Sequence, residues 1–135
     1  MIIREILKKC SKIIAFLLVL ALAILIYING ERNAEEYRKK ISANPTLTNG
    51  VVTNLEFRIK HGYQIDYEFF VEGVKRAGSL SSSRYESIKN ELIGKSFPVI
   101  FKSDDPSFSE ILVFPEDFER YKLSFPDSLR WVRGR

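Results

Sequence analysis

Residues 51–80 read VVTNLEFRIKHGYQIDYEFFVEGVKRAGSL, and the alternation within this stretch decides the fold. Apolar and polar side chains take turns in two runs, which is the period of a strand with one buried face. The apolar face of the first run comprises Val51, Thr53, Leu55, Phe57 and Ile59. The apolar face of the second run comprises Tyr63, Ile65, Tyr67, Phe69 and Val71. The sequence therefore predicts two half-buried strands.

Short turn signals follow each run and predict antiparallel pairing. His61-Gly62 ends the first run, and Glu72-Gly73 is a tight-turn signal that returns residues 74–80 as the third strand, in a hairpin. Phe70 breaks the alternation of the second strand. We expect a helix at residues 83–93 to cover Phe70, and the alternative is an exposed patch for a partner.

The rest of the domain adds one helix and two more strands. Ser83 opens a capping box, which predicts a helix that ends at Gly94. Residues 97–101 predict the fourth strand, and Pro98 within it indicates an edge strand or the first position of a ladder. Residues 109–114 predict the fifth strand. The order predicts a mainly β (α+β) domain at residues 46–114, a small antiparallel five-stranded curled sheet or barrel with one helix between strands 3 and 4.

The C-terminal tail, residues 115–135, predicts two short helices at residues 116–121 and 126–132. Its last part mixes a tryptophan with basic side chains, and this mixture suits an anionic membrane surface or a protein partner. A frayed, solvated terminus is the alternative. The candidate contact residues are Arg130, Trp131 and Arg133.

An uninterrupted apolar run, IIAFLLVLALAILIYI at residues 13–28, precedes the β domain. At 1.5 Å per residue it reaches about 24 Å, somewhat less than the ~30 Å of a hydrocarbon core. Lys12 and Tyr27 can extend it into the headgroup region. We predict a transmembrane helix whose anchoring side chains are Ile13, Phe16, Leu17, Leu20, Ile24 and Tyr27.

The segments beside this run indicate its orientation. Residues 1–12 hold four basic side chains, which predicts a cytoplasmic N-terminus and a C-terminal domain outside. Residues 29–45 predict a polar helical stalk or a solvated linker, with Asn29-Gly30 ending the apolar helix or at least loosening it. A cleaved signal peptide is an alternative, although the A-x-A sequence at residues 21–23 lies inside the run. A buried helix of a soluble protein is the other alternative.

Composition and charge narrow the classes of function. The net charge of +4 comes from the two ends of the chain, so the near-neutral middle lacks the basic footprint of a nucleic-acid binder. The single cysteine, Cys10, excludes an internal disulfide. His61 is the lone histidine, and Asp104-Asp105 is an isolated acidic pair that suits a turn. The sequence predicts no catalytic, metal or cofactor residue and no nucleic-acid partner.

Short motifs of the β domain resemble those of a bacterial family. They are Asn49-Gly50-Val51-Val52-Thr53, Asp66-Tyr67-Glu68-Phe69, Val71-Glu72-Gly73-Val74 and, after Asp105-Pro106, Ser109-Glu110-Ile111-Leu112. With the anchor, residues 46–113 resemble membrane-anchored proteins that carry a small β domain of unknown function. Asp105 stands where the family pattern has Asn before Pro. The resemblance implies this fold and topology and implies no activity.

These features favour a single-pass membrane protein whose β domain is a non-enzymatic, envelope-associated binding or assembly module. Its expected partners are the lipid bilayer and a protein of the envelope. One alternative is a membrane-associated small-ligand receptor or enzyme that uses a polar cleft. The residues of that cleft would be Tyr63, Asp66, Tyr67 and Arg84. Another alternative is an immunity-type accessory protein encoded beside its target.

Overall fold

The computed structural model describes residues 1–133, and for residues 30–32 it describes the backbone alone. The chain divides into two compact units, Met1–Arg38 and Lys39–Arg135. The first unit is helical throughout its described length after Met1. The second unit contains the sheet and the hydrophobic core.

Helix α1 occupies Ile2–Ala43 and is long and apolar enough to cross a membrane. The apolar side chains of residues 13–28 are all exposed. The helix continues through Asn29 and Gly30, so of the two predicted outcomes at that point the helix end is wrong. A glycine costs a helix about 1 kcal/mol relative to alanine, and the good helix formers that follow outweigh this cost.

The second unit holds one antiparallel sheet in the order β3-β2-β1-β4-β5. The edge strands β3 and β5 also approach each other, so the sheet is nearly closed. This architecture confirms the predicted α+β class, the strand number and the helix between strands 3 and 4. The strands are β1 Pro45–Arg58, β2 Gly62–Val71, β3 Val74–Ser82, β4 Ser96–Lys102 and β5 Asp105–Ile111.

Strand β1 changes face at a bulge. Its register with β2 shifts between Val52 and Asn54, which leaves Thr53 as the extra residue. Before the bulge Val52 is 1% exposed and Val51 is 43% exposed. After the bulge Leu55 packs against the core. The prediction that Val51 and Thr53 share one buried face with Leu55 is therefore wrong, because one extra residue inverts a period of two.

The hairpin of β2 and β3 forms as predicted. Glu72 and Gly73 have φ values of 51° and 78°, and a two-residue type I′ turn requires positive φ at both positions. The predicted apolar face of β2 is buried or half-buried along its length. Phe70, on the opposite face, is 59% exposed, so the prediction that a helix covers it is wrong.

The segment after β3 is a 3₁₀ helix, Ser83–Ile88, followed by the single turn α2, Lys89–Leu92. Its N-cap is Ser82, whose hydroxyl accepts a hydrogen bond from the Arg84 N–H at 3.2 Å, and the predicted cap Ser83 lies one residue inside. This segment buries its apolar side chains in the core and does not reach the outer face of β2. Those side chains are Tyr85, Ile88 and Leu92.

Pro98 lies in an interior strand, since β4 is paired on both sides, so of the two predicted positions the edge strand is wrong. The other predicted position, the first of a ladder, agrees with the β4–β5 pairing, which starts at the next residue, Val99. Its carbonyl accepts a hydrogen bond from the Leu112 N–H at 2.8 Å. In an antiparallel sheet, the nitrogen and the carbonyl of one residue face the same neighbouring strand. The Pro98 nitrogen, which carries no hydrogen, therefore faces Leu112, just past the end of β5. The proline is tolerated because the β4–β5 ladder ends there.

The two halves of the sheet differ on their outer face. The covered half is the outer face of β4 and β5, where Ile100 and its partner Glu110 are 3% and 5% exposed. The open half is the outer face of β1 and β2, where Leu47, Val51 and Phe70 are exposed. The cover consists of the last turn of α1 and the C-terminal segment, residues 115–133, which includes helix α3, Pro115–Arg120, and a 3₁₀ helix, Asp127–Val132.

The core extends beyond the predicted residues 46–114 at both ends. Ile41, in the last turn of α1, is fully buried in the same cluster as the strands. Lys40 beside it lies 5.0 Å from the centre of the Phe108 ring. Leu129 and Val132 are buried at the other end. The predicted short helices of the tail are present and belong to the folded domain.

Candidate functional site

The four residues of the predicted polar cleft lie apart. Tyr63 is half-buried at the start of β2. Tyr67 points into the sheet interior and Asp66, its neighbour in β2, points to the outer face. Arg84 forms an ion pair with Glu116 and lies over the Phe114 ring at 4.3 Å. The structure therefore does not bring these side chains together around one cavity.

The interior beside Tyr67 is filled. Its hydroxyl lies 2.9 Å from the Ser109 hydroxyl, so the two buried groups satisfy each other. Gly78 is the cross-strand neighbour of Tyr67, and a Cβ at Gly78 would overlap the Tyr67 ring. The ring occupies the space that any other residue at position 78 would need. The interior at this point is therefore occupied by packed side chains.

Asp66 is the centre of a polar network on the open half. Its carboxylate accepts hydrogen bonds from the Ser79 hydroxyl at 2.6 Å, the Gln64 amide at 3.1 Å and the Asn54 amide at 3.2 Å. The Ser79 bond is the largest of the effects that lower the pKa of Asp66 below its ordinary 3.8. The network holds a charged carboxylate in place on the sheet surface.

Two buried carboxylates fasten the cover. Asp117 accepts hydrogen bonds from the N–H groups of Val113 and Phe114 at 3.1 and 2.9 Å and pairs with Arg120. Glu110, on the outer face of β5, accepts a hydrogen bond from the Tyr121 hydroxyl and lies 3.8 Å from Arg120. Asp117 thus connects the first turn of α3 with the residues that follow β5. Glu110 connects β5 with the residues at the end of α3.

The charge of these carboxylates also acts on a neighbouring phenol. Burial raises the pKa of Tyr85, and the nearby Asp117 and Glu110 raise it further. The hydroxyl therefore stays protonated under physiological conditions. The ring of Tyr85 stacks on Phe114 at 5.7 Å, which accounts for this residue as part of the core.

The other candidate chemical groups occupy turns. His61 is exposed, and its N–H donates to the Arg58 carbonyl at 3.2 Å. Asp105 accepts from the Ser107 N–H and hydroxyl, while Asp104 pairs with Lys102. Among residues 1–133 no group of three or more His, Cys, Asp or Glu side chains is placed to hold a metal ion.

The basic and aromatic residues near the C-terminus lie on the folded domain. Trp131 is half-buried with its ring 6.1 Å from that of Phe97. Arg133 lies over the Phe125 ring at 5.3 Å, and the exposed Arg130 pairs with Asp127. The terminus is therefore folded up to Arg133 rather than frayed. A contact of these residues with a membrane or partner stays a prediction.

A shallow groove of about 320 Å³ lies at the edge of the open half, beyond the last β1–β2 pair, Gly50 and Phe69. Leu47 and Phe70 are 50% and 59% exposed at this groove, and Glu72 lies at the β2–β3 turn beside them. Within the described part of the chain Glu72 forms no ion pair. The residues that line the groove are Thr46, Leu47, Thr48, Phe70, Val71, Glu72, Phe101 and Ser103.

Sequence reasoning identified one residue of this groove and missed the others. Phe70 was noticeable because it breaks the alternation of β2. Leu47 precedes the predicted strand and gave no signal, because β1 begins six residues earlier than the alternation indicates. The groove forms where three strands meet, so no single stretch of sequence carries it.

No protein-family model, no curated protein and no solved structure matches this chain. The resemblance to bacterial membrane-anchored β domains therefore stays a prediction, as does the immunity-type alternative.

Proposed function

We propose that this chain is a single-pass membrane protein whose β domain binds a protein partner of the envelope through the groove on the open half. The N-terminus is cytoplasmic and the domain lies outside in this proposal. The exposed apolar run of α1 and the basic residues before it support the anchor and its direction. The groove supports the binding role.

The observation that carries the binding role is the pair Leu47 and Phe70. Large apolar side chains that are half exposed around one concavity are a usual feature of protein contact sites, whereas apolar residues scattered singly are not. The fold covers the other half of the same face with its own chain, so the exposure here is not a general property of the sheet.

The groove also defines the chemistry of the partner. Its apolar wall suits an aliphatic or aromatic side chain, and such anchors supply much of the energy of protein interfaces. Glu72 at its rim suits a lysine or arginine of the partner, because it has no ion pair within the described chain. We therefore propose a partner segment with an apolar residue next to a basic one.

A photo-crosslinking amino acid placed at Phe70 or at Leu47 in the full-length protein tests this proposal in native membranes. We expect one discrete crosslinked product of the same mass from both positions. The matched control is Ile93, which is 61% exposed and lies outside the groove, and it should give no such product. The substitution Glu72→Lys should reduce the product strongly through like-charge repulsion.

Products at all three positions, or none at Phe70 and Leu47, would overturn the binding site. The anchor has a separate test. Washing membranes with alkaline carbonate should leave the full-length protein in the pellet, while a chain that begins at Lys39 should be released. Release of the full-length protein by the wash would overturn the anchor and leave the groove unaffected.

A further inference from the structure

The first three turns of α1 carry charged side chains whose arrangement on one face goes beyond what the orientation of the anchor requires. At about 100° per residue, the charged side chains of residues 4–12 fall within an arc of about 140° around the helix. The apolar side chains of residues 2–14 occupy a second arc of similar width on the opposite side. The helix is therefore amphipathic before it becomes apolar on all sides at residue 13.

Three cations follow one another at four-residue intervals on the charged arc. We call Arg4, Lys8 and Lys12 the basic stripe. They line a shallow groove together with Leu7 and Ser11, and all five side chains are exposed. Successive members rise by about 6 Å along the helix axis, so the stripe spans about 12 Å.

The basic stripe has no counter-charge within the described chain. None of its members forms an ion pair, and Glu5 is the one acidic residue before the apolar run. Three aligned cations in one groove favour an anionic ligand that is extended or repeated along the helix.

We propose that the basic stripe binds the phosphate groups of anionic phospholipids in the leaflet where the anchor enters the bilayer. This inference rests on the proposed membrane anchor. The stripe ends at Lys12, directly before the first residue of the apolar run, so insertion of that run brings Lys12 to the headgroup level.

The magnitude of the effect follows from the number of cations. Each lysine or arginine near an anionic membrane surface strengthens binding by about fivefold at moderate ionic strength. Three members acting together therefore give a preference for anionic over zwitterionic lipid on the order of 100-fold, which falls as salt increases.

The test uses the full-length protein reconstituted in vesicles of equal parts phosphatidylglycerol and phosphatidylcholine. Only the fraction that resists a carbonate wash is analysed, and the lipids that stay bound are counted by native mass spectrometry. Wild type should retain phosphatidylglycerol far above phosphatidylcholine. The triple variant Arg4→Gln, Lys8→Gln, Lys12→Gln should retain the two lipids nearly equally.

A second triple variant removes the same charge elsewhere on the helix. Lys9→Gln, Arg38→Gln and Lys39→Gln leave the basic stripe intact and should keep most of the preference for phosphatidylglycerol. An equal loss in both triple variants would overturn the stripe, since net charge alone would then be responsible. If the wild-type protein resists the carbonate wash but retains both lipids equally, the lipid-binding role of the basic stripe is overturned, while the anchor stands.

Failure of the wild type to resist the carbonate wash would overturn both the anchor and this inference. Retention of an acidic protein in place of lipid, when the same sample is prepared from native membranes, would also overturn it.

Discussion

Leu47 and Ile100 are direct partners on neighbouring strands, on the same face of the same sheet, yet 50% of Leu47 and 3% of Ile100 is exposed. The boundary between the open half and the covered half runs between these two side chains. Both are aliphatic, and both lie in paired strands. The difference lies in the cover, which reaches β4 and β5 and stops before β1.

This comparison shows that exposure on the outer face is set by a distant part of the chain. The last turn of α1 and the C-terminal segment contribute the cover, and the buried carboxylates of Glu110 and Asp117 attach it. The open half has equally apolar residues and no such attachment. We therefore expect the two halves to respond differently to the same change.

Removal of the C-terminal part of the cover should have the largest effect. A chain of residues 39–114 lacks Phe118, Leu129 and Val132, which are buried in the core of the domain. Truncating one such side chain costs about 2–5 kcal/mol, and whole domains have about 5–15 kcal/mol of stability. We expect this chain to be unfolded by circular dichroism, whereas residues 39–135 should melt cooperatively. A cooperative transition in the shorter chain would contradict the role given to the cover.

The two partner residues give the most direct comparison. Ile100→Ala should lower the free energy of unfolding by about 2–5 kcal/mol, because it leaves a cavity under the cover. Leu47→Ala should change it by no more than about 0.5–1 kcal/mol, since half of this side chain already meets solvent. Urea unfolding of residues 39–135 measures both. Equal losses would mean that the open half is covered in solution.

The attachment of the cover can be weakened by one atom. Tyr121→Phe removes the hydroxyl that donates to the buried Glu110 carboxylate, and a hydrogen bond to a charged group is worth about 1.5–3 kcal/mol. Tyr63→Phe is the control, since Tyr63 is only half-buried and its hydroxyl accepts a long bond of 3.4 Å from Lys89. Thermal melts should show a clear decrease for the first substitution and little for the second.

The smallest effect is expected on the open half, at Asp66. The pKa of Asp66 in the folded protein lies below its ordinary 3.8. The charged carboxylate therefore stabilises the fold at pH values above 3.8, and this stabilisation is lost as the pH falls through the folded pKa. Because Asp66 is half-buried and its network opens to solvent, we expect at most about 1 kcal/mol. Asp66→Asn should be less stable than wild type at pH 6 and equal to it near pH 2. A difference that is constant with pH would contradict this account.

The strands and their order along the chain were predictable because they follow local rules. Alternation identified β2, and the positive-φ turn at Glu72-Gly73 identified its hairpin with β3. The burial of each residue was less predictable. A bulge at Thr53 inverted the first half of β1, and no residue type in the sequence marks a bulge there.

Features that depend on distant residues could not be predicted from local pattern. Pro98 indicated an edge strand or the first position of a ladder, and β1 and β5, which pair with β4 on its two sides, decide between these positions. The burial of Ile41 and Val132 depends on both ends of the chain meeting one core. The groove on the open half exists because no segment of the described chain covers it, and this kind of absence has no sequence signal.

The bulge at Thr53 has a consequence for how this gene can change. Deleting the one codon for Thr53 would restore an unbroken alternation along β1 and exchange the two faces of its first half. Val52 would turn towards solvent, and Leu47 and Val51 would turn towards the interior, where Gly50 now leaves room for Val99. A three-base deletion at this point would thus be more damaging than any single replacement in the strand, and insertions or deletions should be rare there in nature.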